Sequence, residues 1–222
     1  MPVKSSGKIM TAAIGLFGLI MTLPSHAIPI TFSSITMEVR STDNLRVNGG
    51  DTAASLLARF NSGTEICTVN IGEFTGIGGK QNCGTNPHDD LATLYTINYS
   101  LGNGMALFQL GADWGLGGII MGAIGGDIIR TDDIWWSNSW NNADVLSFTL
   151  NGPGTGSFQL LGFESCCSGV NSLRVSVNGG QTFSSVVTSV PEPAALALLG
   201  FGLMGLTIIR SRARSRAKSQ AD

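Results

Sequence analysis

Ala92 to Leu110 reads ATLYTINYSLGNGMALFQL, and its alternation decides the fold class. Tyr95, Ile97 and Tyr99 fall on one face of an extended segment, and Leu94, Thr96, Asn98 and Ser100 fall on the other. A period of two residues is that of a strand with one face buried. The aromatic and β-branched face is the buried one, because such side chains pack well on a pleated surface. Asn103-Gly104 has the composition of a tight hairpin turn. The segment therefore predicts a strand over 92–101, a hairpin at 103–104 and a returning strand over 105–110.

Working outward, the same pattern recurs. Gly118–Ala123 and Asp127–Arg130 read as strands joined at Gly125-Gly126. Val145–Leu150 alternates through Leu146, Phe148 and Leu150, and Phe158–Phe163 returns after a turn over Asn151–Gly156. Leu173, Val175 and Val177 mark a further strand, Asn178-Gly179-Gly180 a turn and Thr182–Val187 a last strand. Toward the N-terminus, Ile35, Met37 and Val39 share one face, and Leu45 with Val47 opens another short strand. Ala53, Leu56, Leu57 and Phe60 recur at helical spacing behind Asp51, which predicts a helix over 52–60 with Asp51 as its N-cap. A strand over 53–60 is the competing reading. Gly63–Pro87 reads as a glycine-rich loop carrying two cysteines. Many short strands with regular turn signals predict a mainly β chain, a β-sandwich of jelly-roll type.

The two ends read differently. Lys4 and Lys8 precede the apolar stretch Ile9–Leu23 and the small-x-small triplet Ser25-His26-Ala27, the three parts of a signal peptide over 1–27. At the other end stand Pro191, Glu192 and Pro193, then 16 uncharged residues over 194–209, then a tail with Arg210, Arg212, Arg214, Arg216 and Lys218. As a helix the apolar run would be ~24 Å long, somewhat short of a hydrocarbon core of about 30 Å. The basic tail would hold its end in the cytoplasm, and the prolines would separate this single transmembrane helix from what precedes it. The expected organisation is a signal peptide over 1–27, an ectodomain over 28–189 and a terminal segment over 190–222.

This excludes some functions. Residues 28–193 carry six basic and fourteen acidic side chains, a net charge of −8, which repels phosphate backbones and argues against nucleic acid as a partner. Cys67, Cys83, Cys166 and Cys167 are an even set in an exported chain and read as disulfides. Four cysteines allow three pairings. Local pairing, Cys67 with Cys83 and Cys166 with Cys167, is favoured over a crossed pairing that ties Cys166 and Cys167 to the 67–83 loop. His88 is the one histidine left beyond the signal peptide. With one histidine and oxidised cysteines, a zinc site lacks ligands, and no nucleophile motif of the G-x-S-x-G kind is present.

The Pro-Glu-Pro triplet, apolar run and basic tail, in that order, resemble the PEP-CTERM sorting signal of bacterial envelope proteins over about residues 190–222. The resemblance implies recognition and removal of the tail by an exosortase, so that the membrane helix is transient. It also implies export through the inner membrane to the cell envelope, surface or extracellular matrix of a Gram-negative bacterium, in association with exopolysaccharide. A second resemblance lies over 111–180. Gly-x-Asp-Trp-Gly, Asp-x-x-Trp-Trp, Trp-Asn-Asn-x-Asp-Val and Gly-Phe-Glu-x-Cys-Cys-x-Gly resemble the group of PEP-CTERM ectodomains named for their Cys-Cys-x-Gly motif. Those ectodomains are similar to galactose-binding-like sandwiches and bring no established activity with them.

All four tryptophans lie between Trp114 and Trp140. Aromatic rings stack on sugar faces while Asp and Asn bind hydroxyls, so Trp114, Trp136 and Trp140 are candidate glycan-binding residues; as core residues they would fill the sandwich instead. Trp135 and Trp136 are neighbours, so on a strand they point to opposite sides and at most one of them is core. Asp132, Asp133 and Asp144, with Asn138, Asn141 and Asn142, supply the oxygen ligands that calcium takes, and turn-forming Asp and Asn explain the cluster equally well. Paired carboxylates at 89–90 and 132–133 would serve a glycosidase only at a defined separation across the sugar. The expectation is a non-enzymatic surface or matrix protein, with a carbohydrate-binding module as the alternative and a secreted hydrolase third.

Overall fold

In the computed structural model, residues 30–43, 45–86, 89–167 and 169–189 are described. The signal peptide, His88, the Pro191–Pro193 triplet and the apolar run over 194–209 lie outside the described residues. Among the described residues, no helix is long and apolar enough to cross a membrane.

The chain is mainly β, as the alternation predicts. In chain order its elements are β1 (Ile30–Ser41), α1 (Ala53–Ser62), β2 (Thr64–Asn70), α2 (Gly79–Cys83), β3 (Leu91–Leu101) and β4 (Met105–Gly111). There follow β5 (Asp113–Trp114), β6 (Gly118–Met121), β7 (Ile128–Arg130), β8 (Ile134–Trp135), β9 (Leu146–Asn151), β10 (Gly154–Glu164), β11 (Ser172–Ser176) and β12 (Ser184–Ser185). One sheet has the order β2-β1-β3-β10-β6-β7, a second β12-β11-β4-β9, and β5 with β8 forms a short ladder of its own.

The two larger sheets face each other across one core. Tyr95 and Ile97 of β3 and Phe158 and Leu160 of β10 point into it from one side. Ala106, Phe108 and Leu110 of β4 and Phe148 of β9 point into it from the other. Phe108 stacks on Phe148 at 5.0 Å between ring centroids, and Phe158 meets both rings edge-on at 5.1 and 5.3 Å. Interleaved side chains of the larger sheet, among them Ala92, Leu161, Phe163 and Ile119, form a second apolar layer that α1 covers with Leu56 and Phe60. Burying each of those two helix residues contributes about 1.5–3 kcal/mol.

The turn at 103–104 corrects the hairpin expectation. β3 and β4 do not pair; the chain crosses from one sheet to the other there, and it crosses back between β9 and β10. Strand length gives the reason. The 11 residues of β3 pair along their whole length with β1 on one side and β10 on the other, which satisfies its backbone on both edges. The 7-residue β4 matches β9 and β11 instead. The two crossings touch, with Gly152 N–H donating to Gly104 O at 2.7 Å.

Three smaller differences have local causes. The N-cap of α1 is Thr52, one residue later than expected: Thr52 Oγ1 accepts from Ser55 N–H, and Ser55 Oγ accepts from Thr52 N–H. Asp51 instead accepts from Asn48 N–H and closes the turn before the helix. β2, read as loop from the sequence, is an edge strand exposed on most of its length, so it carries little hydrophobic alternation. Leu45 and Val47 form no strand, although Val47 N–H donates to Leu116 O, and the strand expected over 182–187 shrinks to Ser184–Ser185.

Candidate functional site

A cavity of about 410 Å³ opens where the β5–β8 ladder meets the loop after β10, lined by Arg46, Asp113, Leu116, Asp133, Trp135 and the Cys166–Cys167 disulfide among others. The ladder pairs Asp113 with Trp135 and Trp114 with Ile134. Paired residues share a face. Trp114 and Ile134 are fully buried, whereas Asp113 and Trp135 reach the cavity, and Trp135 is 61% exposed.

The buried side explains two glycines. Gly118 of β6 and Gly162 of β10 are direct ladder partners. A Cβ on Gly162 would lie 2.1 Å from Trp114 Cδ1, and one on Gly118 would lie 2.4 Å from Trp114 Cε3. The pair leaves a slot in the larger sheet that the indole fills. Trp114 is thus a core residue, which corrects its candidacy for glycan. Trp136 is corrected likewise: it is 5% exposed, its Nε1–H donates to Val170 O at 2.8 Å, and its ring lies over Gly111. Trp140 is half-buried and packs against Trp136 at 4.8 Å. The exposed ring is Trp135, in accord with opposite faces for the adjacent pair.

The backbone of Trp135 is held by the Asn-Asn-x-Asp stretch. Its N–H donates to Asp144 Oδ2 at 3.3 Å, and its carbonyl accepts from Asn142 Nδ2 at 3.1 Å. Asp144 N–H in turn donates to Asn142 Oδ1. Asp132 is held by Arg130 through two hydrogen bonds, at 3.0 and 2.7 Å, which lowers its pKa. Of the three acids read as calcium ligands, only Asp133 lines the cavity. Asp132 and Asp144 are occupied in shaping the loop, and among the described residues no group of three or more His, Cys, Asp or Glu is arranged to hold a metal ion.

A carboxylate that the sequence did not single out lines the cavity. Asp113 lies on the cavity wall with its pKa raised to about 6, first by burial and then by the charge of Asp133, against a hydrogen bond from the Gly169 backbone. A Cβ on Gly169 would stand 1.8 Å from Asp113 Oδ2, so only glycine lets that backbone approach the carboxylate. This gives the Cys-Cys-x-Gly motif a physical sense. Cys166 and Cys167 are bonded to each other and form part of the wall, Cys167 takes a left-handed φ of 61°, and the glycine closes on Asp113. Cys67 is bonded to Cys83, joining β2 to the end of α2, so both disulfides follow the local pairing. Asn171, fully buried, anchors the end of the same loop: Oδ1 accepts from Asp113 N–H at 3.0 Å, and Nδ2 donates to Tyr95 Oη at 3.0 Å and to Ile77 O at 3.3 Å. Glu164, just before the loop, is buried, and burial followed by the charge of Asp113 raises its pKa well above the usual carboxylate range.

The fold and site define a two-sheet antiparallel sandwich with a cavity built on loops at one end. At the end of the chain, the family model for the PEP-CTERM protein-sorting motif matches residues 189–213, so the chain carries that motif where the Pro-Glu-Pro triplet, apolar run and first basic residues stand. No curated protein sequence matches the chain. Among solved structures, the PA14 domain of the antifreeze protein MpAFP is similar at 19% identity with a TM-score of 0.47, over 72% of this chain and 89% of that one. A PA14 sugar-binding domain from an RTX adhesin is similar at 16% identity and TM-score 0.44, over 71% and 99%. The A domain of epithelial adhesin 9 from Candida glabrata, solved with Galβ1-4GlcNAc, is similar at 8% identity and TM-score 0.43, over 77% and 95%.

Proposed function

We propose that the chain is an exported, exosortase-processed surface or matrix protein whose ectodomain binds carbohydrate, as a non-enzymatic component associated with exopolysaccharide. The observation that carries the binding reading is Trp135. Its indole is 61% exposed at a cavity that also presents Asp113, Asp133 and Arg46. An aromatic face beside convergent polar groups suits a sugar ring, whose apolar face stacks while its hydroxyls take hydrogen bonds. The processing reading rests on the sorting motif over 189–213, with the domain limits 28–189 and 190–222 and the Cys-Cys-x-Gly grouping as part of the same proposal.

Binding of the full chain to arrayed neutral and charged glycans tests the first part. We expect at least one glycan to be retained and Trp135→Ala to weaken it by about tenfold or more, the range for one lost stacking contact of ~1–3 kcal/mol. Retention that Trp135→Ala leaves unchanged removes the cavity from the proposal. Release of reducing ends from a bound polysaccharide, lost in Asp133→Asn, would replace binding by hydrolysis. Intact mass after expression beside an exosortase tests the second part: a product that still ends at Asp222 overturns it.

A further inference from the structure

On the other side of Trp136 lies a second, smaller cavity of about 280 Å³, lined by Thr75, Trp136, Trp140, Arg174, Phe183 and Ser185 among others. Its centre is Arg174. The guanidinium lies 4.2 Å from the Trp140 ring and 4.3 Å from the Phe183 ring, an aromatic residue near each that holds the group in place. Gln109 Oε1 accepts from Nε at 2.9 Å and from Nη2 at 2.6 Å. That uses two of the five N–H donors of an arginine. The donors left over lie on the terminal edge, Nη1 and Nη2, which is the fork that a carboxylate meets with two parallel hydrogen bonds.

Arg40, Arg59 and Arg130 each pair with a carboxylate at 2.6 to 2.7 Å. Among the described residues no carboxylate pairs with Arg174, although the ectodomain is acidic as a whole. Its ladder partner across β11 and β12 is Ser185, a small hydroxyl that leaves the fork open. An arginine held between two rings and without a carboxylate partner among the described residues, beside the Ser184 and Ser185 hydroxyls, suits an anion carried on a polar, partly apolar body; the Thr75 hydroxyl donates to Glu73 at 3.1 Å.

We infer that the Arg174 cavity is a second binding site, for the carboxylate of a uronic-acid unit in an acidic polysaccharide. Arg174 holds the carboxylate by its free edge. Trp140, half-buried beside the guanidinium, provides the apolar side of the cavity, and the hydroxyls meet the ring substituents. The site stands on residues separate from the Trp135 cavity, so either can fail without the other.

Titration of the full chain in neutral detergent with galacturonate oligomers, galactose oligomers and sodium sulfate tests it. We expect galacturonate to bind and Arg174→Gln to weaken it by roughly tenfold or more, as loss of a charge-assisted hydrogen bond implies. Arg174→Lys keeps the charge without the fork and should weaken it less. Ser185→Asp supplies a carboxylate from the opposite strand without removing packing, and should block galacturonate while the melting temperature holds or rises. Equal galacturonate affinity in the parent, Arg174→Gln and Ser185→Asp proteins overturns the assignment, as does a parent protein that binds none. Sulfate binding as tight as galacturonate, or galactose binding that Arg174→Gln weakens as much as galacturonate binding, overturns the uronate specificity.

Discussion

The β5–β8 ladder has two faces of two residues each, and they differ in nearly every physical respect. Inward, Trp114 and Ile134 are fully buried, and the Trp114 ring fills a slot left by paired glycines. Outward, Asp113 and Trp135 border the cavity, one a carboxyl with its pKa raised to about 6, the other a largely exposed indole. The inner face spends its aromatic on packing, and the outer face leaves its own in water. A sheet as short as two strands of two residues is marginal by itself. It persists because its inner residues are part of the sandwich core, and that is what allows the outer ones to stay at the cavity and in contact with solvent.

The largest effect expected from this division is on the inner face. Trp114→Ala removes a fully buried ring over Gly118 and Gly162 and leaves a void that a β-sheet backbone cannot close, so it should cost about 3–5 kcal/mol. Chemical denaturation with an unchanged m-value would measure this directly. A loss under about 1 kcal/mol, the range of an ordinary surface position, would break the comparison at its root. Gly169→Ala comes next. Its Cβ falls on Asp113 Oδ2, so the loop must retreat and the carboxylate loses its backbone donor. A cost of about 1–3 kcal/mol is the range for stranding a partly buried polar group. The melting temperature should fall, and the pKa of Asp113 should rise further, because the lost hydrogen bond favours its charged form.

The pH dependence of the outer face follows in size. The folded chain holds the Asp113 proton up to about pH 6, against a usual carboxyl value of 3.8. A raised carboxyl pKa means that the folded state binds more protons than the unfolded state between those values. Its contribution to stability is therefore full below about pH 4 and is lost as pH rises through about 6. Asp113→Asn should lessen the fall of stability across this window, leaving the share that buried Glu164 contributes, and be the more stable protein at pH 7. Asp133→Asn should move the window down, since the Asp133 charge is the second cause of the shift. Denaturation midpoints at half-unit steps from pH 4 to 7 would show both. A parent profile that is flat over the window would show that the cavity hydrates Asp113 fully.

How much of this was legible in the sequence depends on how local the cause is. The strands of the core could be read, because Tyr95, Ile97, Leu146, Phe148 and Leu150 repeat at the two-residue period that burial of one face requires. The partners of those strands could not. The 103–104 turn looks like a hairpin because Asn-Gly sets local backbone geometry, whereas the crossing between sheets is decided by β1 and β10, tens of residues away, occupying both edges of β3. The site shows the same limit. That only one of Trp135 and Trp136 could be core followed from adjacency; which one is exposed depends on Gly111, whose missing side chain admits the Trp136 ring. Asp113 escaped notice because nothing in Gly-Ala-Asp-Trp-Gly shows that Asp133 and Gly169 will converge on it. A glycine three residues past Cys166 was the available signal, since a glycine in a loop can mark a close backbone approach. Asp144 and Asn142 were read as ligands for a cation because their oxygens are what calcium takes; in the fold those oxygens and amides are spent on the backbone of Trp135 and on each other.

The smallest expected effect is also the sharpest test of the outer face. Trp135→Ala should change folding stability by no more than about 0.5 kcal/mol, the ordinary range for an exposed position away from caps and networks. The reason is that the indole does not hold its own strand. The Trp135 N–H and carbonyl are bonded to the side chains of Asp144 and Asn142, and these bonds survive truncation at Cβ, as does the pairing of Trp135 with Asp113. Asn142→Ala should therefore destabilise more than Trp135→Ala, by about 0.5–1.5 kcal/mol for the hydrogen bonds lost, although the residue it removes is far smaller. Parallel melts of the two variants decide the matter. If Trp135→Ala is the more damaging of the two, the indole is folded against the protein in solution, and the outer face of the ladder is another piece of core rather than a surface kept free for a ligand.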